Sequence, residues 1–245
     1  MSDAPSEVIA QLAPTGVLRA GINMSNFLLV VDKTASGDPI GPSPSLSQAI
    51  ADALGVPLKL IGYKAPSDVA AAAGAGAWDI GNIGAEPQRA QVMDFTAAYV
   101  EIEATYMVPP NSPIQSVDEV DRPGNRISVS KGSAYGLYLE NNIKQADLLA
   151  VTGGDEAFNA FVNDKMEAYA SLRPRLVTEV EKMPGARILD GQFSAVQQAV
   201  GVNKGNDAAY VWLKDFVENA KSSGMIAGFI ETHGVQGKLS VAGPA

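Results

Sequence analysis

Apolar and polar positions in the first third of the chain alternate in a way that predicts strands and helices in turn. Residues 17–22 form a short apolar run typical of a strand, whereas apolar residues in 45–54 recur at helical spacing before Gly55. The predicted elements are, in order, a strand at 17–22, a helix at 45–54, a strand at 57–63, a helix at 69–73 capped by Ser67 and Asp68, and a strand at 78–83.

A second series of strands and helices follows an extended run at 104–108. Pro109-Pro110 stops that run, because neither proline continues a helix or a central strand. The later predictions are strands at 126–130, 148–151, 166–172, 187–189 and 196–202, and helices at 133–141, 155–162, 174–183, 208–222 and 225–232.

This order of elements predicts two α/β units in series. Strands that alternate with helices form largely parallel sheets with helices on both faces. Ligands of such open sheets bind outside the carboxyl ends of the strands. We therefore expect the functional residues in the loops that follow the strands.

Composition excludes several classes of function. The 245 residues carry a net charge of −9, which argues against binding to nucleic acid or to an anionic membrane. There is no cysteine and only one histidine, so thiolate catalysis, disulfides and Cys/His zinc sites are excluded. An all-carboxylate calcium or magnesium site stays open by residue count, but no EF-hand-like spacing appears. We expect no cofactor and no metal.

The amino-terminal sequence Met-Ser-Asp-Ala-Pro has no basic region. Its longest early apolar run, residues 27–31, is too short for a signal peptide or a membrane span. Two interpretations are open: a cytoplasmic protein, or a periplasmic one whose signal peptide has been replaced by a start methionine.

Two glycine-containing turns have both a structural and a functional interpretation. In "SVSKGSAY" the helix start near Ser133 could be an ordinary N-cap, or its free N–H groups could contact a ligand. "GAGAWD" precedes a strand instead of following one, so it does not fit a dinucleotide-binding loop. We interpret it as a helix stop, with Trp78 in the core.

Arg89, in "GNIGAEPQRAQVMDF", follows the strand at 78–83 after a short loop. At that edge of a sheet a guanidinium can bind a carboxylate through two parallel hydrogen bonds. It could equally form a surface ion pair with Glu86 or Asp94. Spacing alone does not separate the two interpretations.

The stretch "WDIGNIGAEPQRAQVMDFTAAY" resembles the signature of the amino-acid-type (polar amino acid, family 3) periplasmic solute-binding proteins of ABC transporters. Further segments resemble that family in the same order along nearly the whole chain: "GVLRAGIN", "SLSQAIADALGV", "DEVDRPGNRISVSKGSAY", "DKMEAYASLRP" and "AVGVNKGN". The match is patchy in identity but collinear.

The resemblance implies a two-lobed type II periplasmic-binding-protein fold, with mixed sheets flanked by helices, two hinge strands and a central cleft. Lobe 1 would comprise residues 1–103 and 194–245, and lobe 2 residues 104–193, with hinges near Ala104 and Ser194. Arg89 would bind the ligand carboxylate. The other ligand positions that the resemblance implies are Asn26, Phe27, Gly81, Asn82 and Gly84 in lobe 1, and Ser133, Ala134, Tyr135 and the position of Leu172 in lobe 2.

One departure from the family pattern bears on the ligand. The family's D-x-P aspartate usually pairs with the α-ammonium of an amino acid, but this chain reads Leu172-Arg173-Pro174. An ammonium facing leucine would lose several kcal/mol, more than an Arg–carboxylate pair supplies. We therefore expect an organic or aromatic acid without an α-amino group, with Gly81 and Gly84 leaving room for bulk. Arg173 could add a second cationic contact.

The resulting hypothesis is a monomeric, periplasmic solute-binding protein that closes around a small carboxylate and delivers it to an ABC permease. It is not an enzyme, and it binds no nucleic acid. One alternative is an enzyme resembling cyclohexadienyl dehydratase, which needs a cleft carboxylic acid that neither Glu140 nor Glu167 clearly provides. The other alternative is a ligand sensor without a role in transport.

Overall fold

The structure, a computed structural model, describes residues 4–245. Two short 3-10 helices, Arg89–Gln91 and Val117–Glu119, accompany the regular elements. The α-helices are α1 Ser6–Leu12, α2 Pro42–Leu54, α3 Pro66–Ala71, α4 Ala134–Asn142, α5 Gly154–Asn163, α6 Arg173–Val180, α7 Asp207–Ser222 and α8 Met225–Thr232. The strands are β1 Leu18–Asn23, β2 Asp32–Lys33, β3 Pro39–Ile40, β4 Leu58–Tyr63, β5 Ile80–Gly84, β6 Met93–Phe95, β7 Val100–Val108, β8 Arg126–Ser130, β9 Asp147–Val151, β10 Ala168–Leu172, β11 Arg187–Ile188, β12 Ser194–Asn203 and β13 Ser240–Val241.

The chain divides into two compact units. Unit 1 contains the residues up to Glu101 together with Gln197–Ala245, and unit 2 contains Ile102–Val196. The chain therefore passes between the units twice, within β7 and within β12. The lobe boundaries expected from the sequence, after residues 103 and 193, stay a prediction.

The sheet of unit 1 has the strand order β4-β1-β5-β12. β1 runs parallel to β4 and β5, whereas β12 runs antiparallel to β5 and also pairs with β6. The register places Asn23 beside Tyr63 and Ile22 beside Asn82. Because β1, β4 and β5 are parallel, their carboxyl ends meet at one edge of the sheet, where the loops carrying residues 24–30 and 85–91 begin.

Helix α2 shows how the local sequence sets the elements of unit 1. Its stripe of Leu46, Ile50 and Leu54 is buried, and each fully buried side chain of this size stabilises the fold by about 1.5–3 kcal/mol. The helix ends at Gly55, which adopts the left-handed conformation (φ 69°). At its start, a Cβ on Gly41 would lie 2.3 Å from the carbonyl oxygen of Leu29, so only glycine fits there.

Trp78 belongs to the core of unit 1, as predicted. It is fully buried, and its indole N–H donates to the Val69 carbonyl at 3.0 Å. Val69, Ile83 and Met93 complete this cluster. The hydrogen bond to Val69 gives the buried indole N–H an acceptor. The ring therefore adds buried apolar surface to the core without the free-energy cost of an unpaired buried donor.

Unit 2 is built on the strand order β7-β10-β8-β9, with β11 added beside β7. β10 runs parallel to β8 and antiparallel to β7. Its side chains alternate between two cores, because successive residues of a strand point to opposite faces. Ala168 and Ala170 pack in the cluster that contains Leu139 of α4, and Tyr169 packs in the cluster that contains Phe161 of α5 and Leu176 of α6.

The predicted α/β class, with mixed sheets flanked by helices, is confirmed. Strand β8 and helix α8 have the predicted bounds, and the other predicted elements differ by at most three residues at either end, except that β7 begins four residues before the extended run predicted at 104–108. Helix α3 begins earlier than predicted, at Pro66, because the carboxylate of Asp68 acts from the third helical position and accepts from the Ala65 N–H at 3.1 Å. Helix α1 and the short strands β2, β3, β6 and β13 were not predicted from the sequence.

Candidate functional site

The loop that follows β5 places Arg89 by a run of backbone hydrogen bonds. The Ala85 N–H donates to the Gln197 carbonyl at 2.8 Å, which fixes the start of the loop against β12. The N–H groups of Arg89 and Ala90 then donate to the Glu86 carbonyl at 2.9 and 3.0 Å, which closes a tight turn before the 3-10 helix. The local sequence therefore holds Arg89 next to the carboxyl end of β5.

Arg89 is a buried cation, with only 4% of the residue exposed. One guanidinium nitrogen, Nη1, donates to the Gly84 carbonyl at 2.8 Å. Burial lowers the pKa of Arg89 to about 10, although the charge of Glu86 acts in the opposite direction. The side chain is thus still protonated at pH 7, and the alternative of a surface ion pair is wrong for a side chain so little exposed.

Glu86 lies close enough to Arg89 for each charge to act on the other. Burial raises the pKa of Glu86, and the positive charge of Arg89 only partly offsets that rise. Asp94, the other acid considered as a partner for Arg89, forms an ion pair with Lys204 at 3.2 Å. Glu86 is therefore the acid that shares the environment of the buried guanidinium.

The loop after β1 is organised by Asn26. Its side-chain oxygen accepts from the N–H groups of Leu28 and Leu29, both at 3.2 Å, and the residue is 8% exposed. These bonds form a local turn of the kind that asparagine favours. The turn leaves Phe27 with 42% of its surface exposed, a large aromatic side chain held outward by an ordered loop.

The remaining unit 1 residues expected at the site face the interior. Asn82 is 2% exposed, and its amide nitrogen donates to the Ser47 hydroxyl at 2.8 Å. A Cβ on Gly81 would lie 3.0 Å from Cγ1 of Val69, so the expectation that Gly81 leaves room for a ligand is wrong. Gly84 acts through its carbonyl oxygen, which holds Arg89.

In unit 2, Ser133 is the N-cap of α4. Its hydroxyl accepts from the Gly136 N–H at 3.0 Å and donates to the Ser130 carbonyl at 2.7 Å. The capping interpretation is confirmed, and any ligand contact stays a prediction. The two residues that follow, Ala134 and Tyr135, are 7% and 9% exposed and belong to the apolar cluster between α4 and the sheet.

Leu172 ends β10 and packs against that same cluster. Arg173, the next residue, is held within unit 2: its Nε lies 2.6 Å from the Glu103 carboxylate, and Nη2 donates to the carbonyl oxygens of Leu189 and Gly191. The sequence did not reveal Glu103 as its partner, since the two residues are 70 positions apart. Position 172 is thus apolar, and the neighbouring cation is already bound to protein groups.

The described residues contain neither a metal-binding cluster nor a helix that could span a membrane. Between residues 4 and 245, no group of three or more histidine, aspartate or glutamate side chains is arranged to hold a metal ion. In the same part of the chain, no helix is both long and apolar enough to cross a membrane.

Comparison with known proteins identifies the family. A model of the bacterial extracellular solute-binding proteins, family 3, matches residues 18–236. The chain belongs to this family. Membership implies that this solute-binding protein binds a small molecule for an ABC permease, and that its relatives work in the periplasm or outside the cell. A search of the curated proteins finds no match.

Solved structures confirm the type II binding-protein fold. The L-cysteine receptor of Neisseria gonorrhoeae has a TM-score of 0.75 at 22% identity, with 94% of this chain and 95% of that chain covered. A binding component of an ABC transporter from Wolinella succinogenes, solved in complex with lysine, has a TM-score of 0.71 at 20% identity, with 89% of this chain and 95% of that chain covered. An ancestral amino-acid-binding protein, AncCDT-1, is described as a precursor of cyclohexadienyl dehydratase. It has a TM-score of 0.72 at 19% identity, with 91% of this chain and 98% of that chain covered. At such identities the likeness shows the fold alone.

Proposed function

We propose that this family 3 protein binds a small organic or aromatic acid that lacks an α-amino group and delivers it to an ABC permease. Two separate observations carry the proposal: Arg89 is a buried cation, and the chain has an apolar residue, Leu172, where the family pattern has its ammonium-binding aspartate. The other predicted contacts, Asn26, Phe27, Gly84, Ser133, Ala134 and Tyr135, are part of the same proposal.

Arg89 supplies the carboxylate side of the argument. A guanidinium removed from water interacts more strongly with a carboxylate than an exposed one does, since the effective dielectric constant is lower. The 2.8 Å hydrogen bond from Nη1 of Arg89 to the Gly84 carbonyl fixes the orientation of the planar guanidinium. A fixed guanidinium suits a carboxylate better than a lysine ammonium would, because it offers parallel donors.

Leu172 supplies the argument against an α-amino acid. An ammonium group brought against a leucine side chain loses its water and gains no acceptor, at a cost of several kcal/mol. The neighbouring residue, Arg173, offers no acceptor for an ammonium group, and its own positive charge is paired with Glu103. The lysine and cysteine named for the two related structures are α-amino acids, so the proposal separates this chain from those relatives.

A thermal-shift panel of matched acids tests the proposal. Each α-amino acid is compared with the same molecule lacking the amino group, for example phenylalanine with 3-phenylpropanoate and leucine with 4-methylpentanoate. A ligand at 100 times its Kd adds about 2.7 kcal/mol to the stability, which is readily detected as a higher Tm. We expect shifts only from deaminated acids. Shifts only from the amino acids would contradict the proposal.

Elimination chemistry is the second candidate, since AncCDT-1, which shares this fold, is described as a precursor of cyclohexadienyl dehydratase. A general acid for this reaction needs a raised pKa. Arg126 lowers the pKa of Glu167 through an ion pair at 2.9 Å, and Glu140 is exposed, whereas burial raises the pKa of Glu86. Absorbance assays with prephenate and arogenate decide between the candidates: turnover that is lost in Glu86→Gln would establish the enzyme.

A further inference from the structure

Among the polar side-chain atoms of unit 1 that are buried without a hydrogen-bond partner, three belong to residues that share contacts around the start of α2. They are the Ser43 hydroxyl at the start of α2, the side-chain carbonyl oxygen of Asn82 in β5, and the Tyr99 hydroxyl just before β7. The residues are 2%, 2% and 1% exposed, respectively. Groups of this kind need an explanation, because buried polar atoms in folded proteins nearly always have a partner.

The three groups lie close together around Ser43. The Asn82 amide nitrogen donates to the Ser43 carbonyl at 3.4 Å and to the Ser47 hydroxyl at 2.8 Å, so the amide oxygen lies near the first turn of α2. The Ser43 hydroxyl is near enough to Tyr99 to moderate the rise in pKa that burial causes in this phenol. The two hydroxyls nevertheless do not meet hydrogen-bond geometry with each other.

The chemistry of these atoms defines what could satisfy all three. The Asn82 oxygen only accepts, whereas each hydroxyl can donate or accept. An ion does not suit a neutral, fully buried site, since no charged side chain is among its members. A water molecule offers two donors and two acceptors, and buried waters typically make about three hydrogen bonds.

We propose that Ser43, Asn82 and Tyr99 form a binding site for one ordered water molecule inside unit 1. The water donates to the Asn82 oxygen and exchanges hydrogen bonds with the two hydroxyls. It thereby links α2, β5 and the segment before β7, three elements that the chain brings together from distant positions. Asn82 on this account serves the interior of the unit, and its amide group makes no contact with the transported solute.

A high-resolution crystal structure of the full chain tests the site directly. We expect one water peak within about 3.2 Å of the Ser43 hydroxyl, the Asn82 oxygen and the Tyr99 hydroxyl. Direct hydrogen bonds among these groups, with no peak between them, would overturn the proposal. So would density for a solute atom in contact with the Asn82 amide.

A double-mutant cycle provides a second test in solution. Ser43→Ala and Tyr99→Phe each remove one partner of the same water, so the loss of urea midpoint in the double variant should be smaller than the sum of the two single losses. The control is the pair Tyr63→Phe and Ser43→Ala, because Tyr63 packs in the Trp78 cluster and not at the proposed water. The loss of urea midpoint in this double variant should equal the sum of the two single losses. Additive losses in the Ser43/Tyr99 pair as well would refute a shared water.

Discussion

At the scale of single residues, two positions define the chemistry that we assign to this binding protein. Arg89 keeps a positive charge in a buried position, held by the Gly84 carbonyl. Leu172 packs against an apolar cluster, and in the proposed function it replaces the aspartate that pairs with an ammonium group in the family pattern. Each residue can be changed without altering the other, so their two contributions to specificity can be measured separately.

Replacing Leu172 by aspartate should move the preference of the protein toward α-amino acids. The new carboxylate gives an ammonium group the partner that leucine cannot offer. Because Leu172 packs against the apolar cluster of unit 2, we also expect a loss of stability of about 1–3 kcal/mol. Thermal-shift titration of Leu172→Asp with phenylalanine and 3-phenylpropanoate measures both effects.

The matched control for this substitution is Leu172→Asn, which has nearly the same size and no charge. It should lose stability without gaining affinity for phenylalanine. If Leu172→Asp gains nothing for the amino acid while it remains folded, position 172 does not face the ligand's α-carbon, and the argument from this residue fails.

The sequence alone predicted that Arg89 lies in the loop after β5 and that Ser133 lies at the start of α4, because each residue closely follows a strand that the apolar pattern predicts. It did not show that Arg89 is buried, nor that the Asn82 amide is engaged by Ser47. Those facts depend on contacts between segments far apart in the chain. Local pattern carries no signal for them, and a family resemblance assigns them only by analogy.

At the scale of elements, two glycines within helices have very different surroundings. Gly136 lies in the first turn of α4, where a Cβ would be 2.5 Å from the Ser130 carbonyl oxygen. Gly228 lies in α8, where a Cβ would meet nothing within 4 Å. Two glycines in helices should therefore respond in opposite ways to the same substitution.

Gly136→Ala should destabilise the protein by about 1–3 kcal/mol, because a backbone oxygen cannot move aside at little cost. Gly228→Ala should stabilise it by about 0.5–1 kcal/mol, since alanine favours the helix more than glycine does. Urea unfolding of both variants measures the difference. Equal effects in the two variants would show that the start of α4 is not packed against the Ser130 carbonyl as described.

The contact between α2 and α8 makes the stability of the fold depend on pH. The Ser45 hydroxyl lies 2.8 Å from Nε2 of His233, and burial lowers the pKa of this histidine. The unfolded chain therefore binds the proton more readily than the folded one, and stability falls as pH decreases through the ordinary histidine pKa of about 6.5.

Thermal unfolding at a series of pH values between about 5 and 8 checks this dependence. His233 is the only histidine of the chain, so His233→Gln should flatten the curve in this range. The raised pKa of Glu86 has the opposite sign and acts at lower pH, because it favours protonation of the folded state. A curve that remains steep in His233→Gln would show that another group is responsible.

Most elements could be predicted because strands and helices repeat apolar residues at different periods. Helix α1, with only Val8 and Leu12 buried, and the two-residue strands are too short to carry such a period. They depend on neighbours elsewhere in the chain, as β13 depends on β7. The resemblance to a family added the order of the units, which periodicity alone does not give.

At the scale of the whole molecule, the net charge of −9 opposes the approach of an anion. In the proposed function, Arg89 therefore attracts the acid at short range, against the repulsion from the net negative charge of the protein. Salt screens the long-range repulsion more than the contact inside a buried site. For the acid that gives the largest Tm shift, we expect kon to rise as ionic strength increases. Stopped-flow binding measures this rate, and a kon that falls with salt would show that positive potential near the site, and not the net charge, governs the approach of the acid.

The central claim is that Arg89 binds the carboxylate of the transported acid. The most direct measurement is the ligand-induced Tm shift of Arg89→Lys and Arg89→Ala, each compared with its own ligand-free Tm. Arg19→Ala is the control for the loss of a partly buried arginine, because Arg19 already pairs with Asp79 at 2.6 Å near the start of β1. We predict that the shift disappears in Arg89→Ala, shrinks in Arg89→Lys and persists in Arg19→Ala. An unchanged shift in a folded Arg89→Ala variant would contradict the claim.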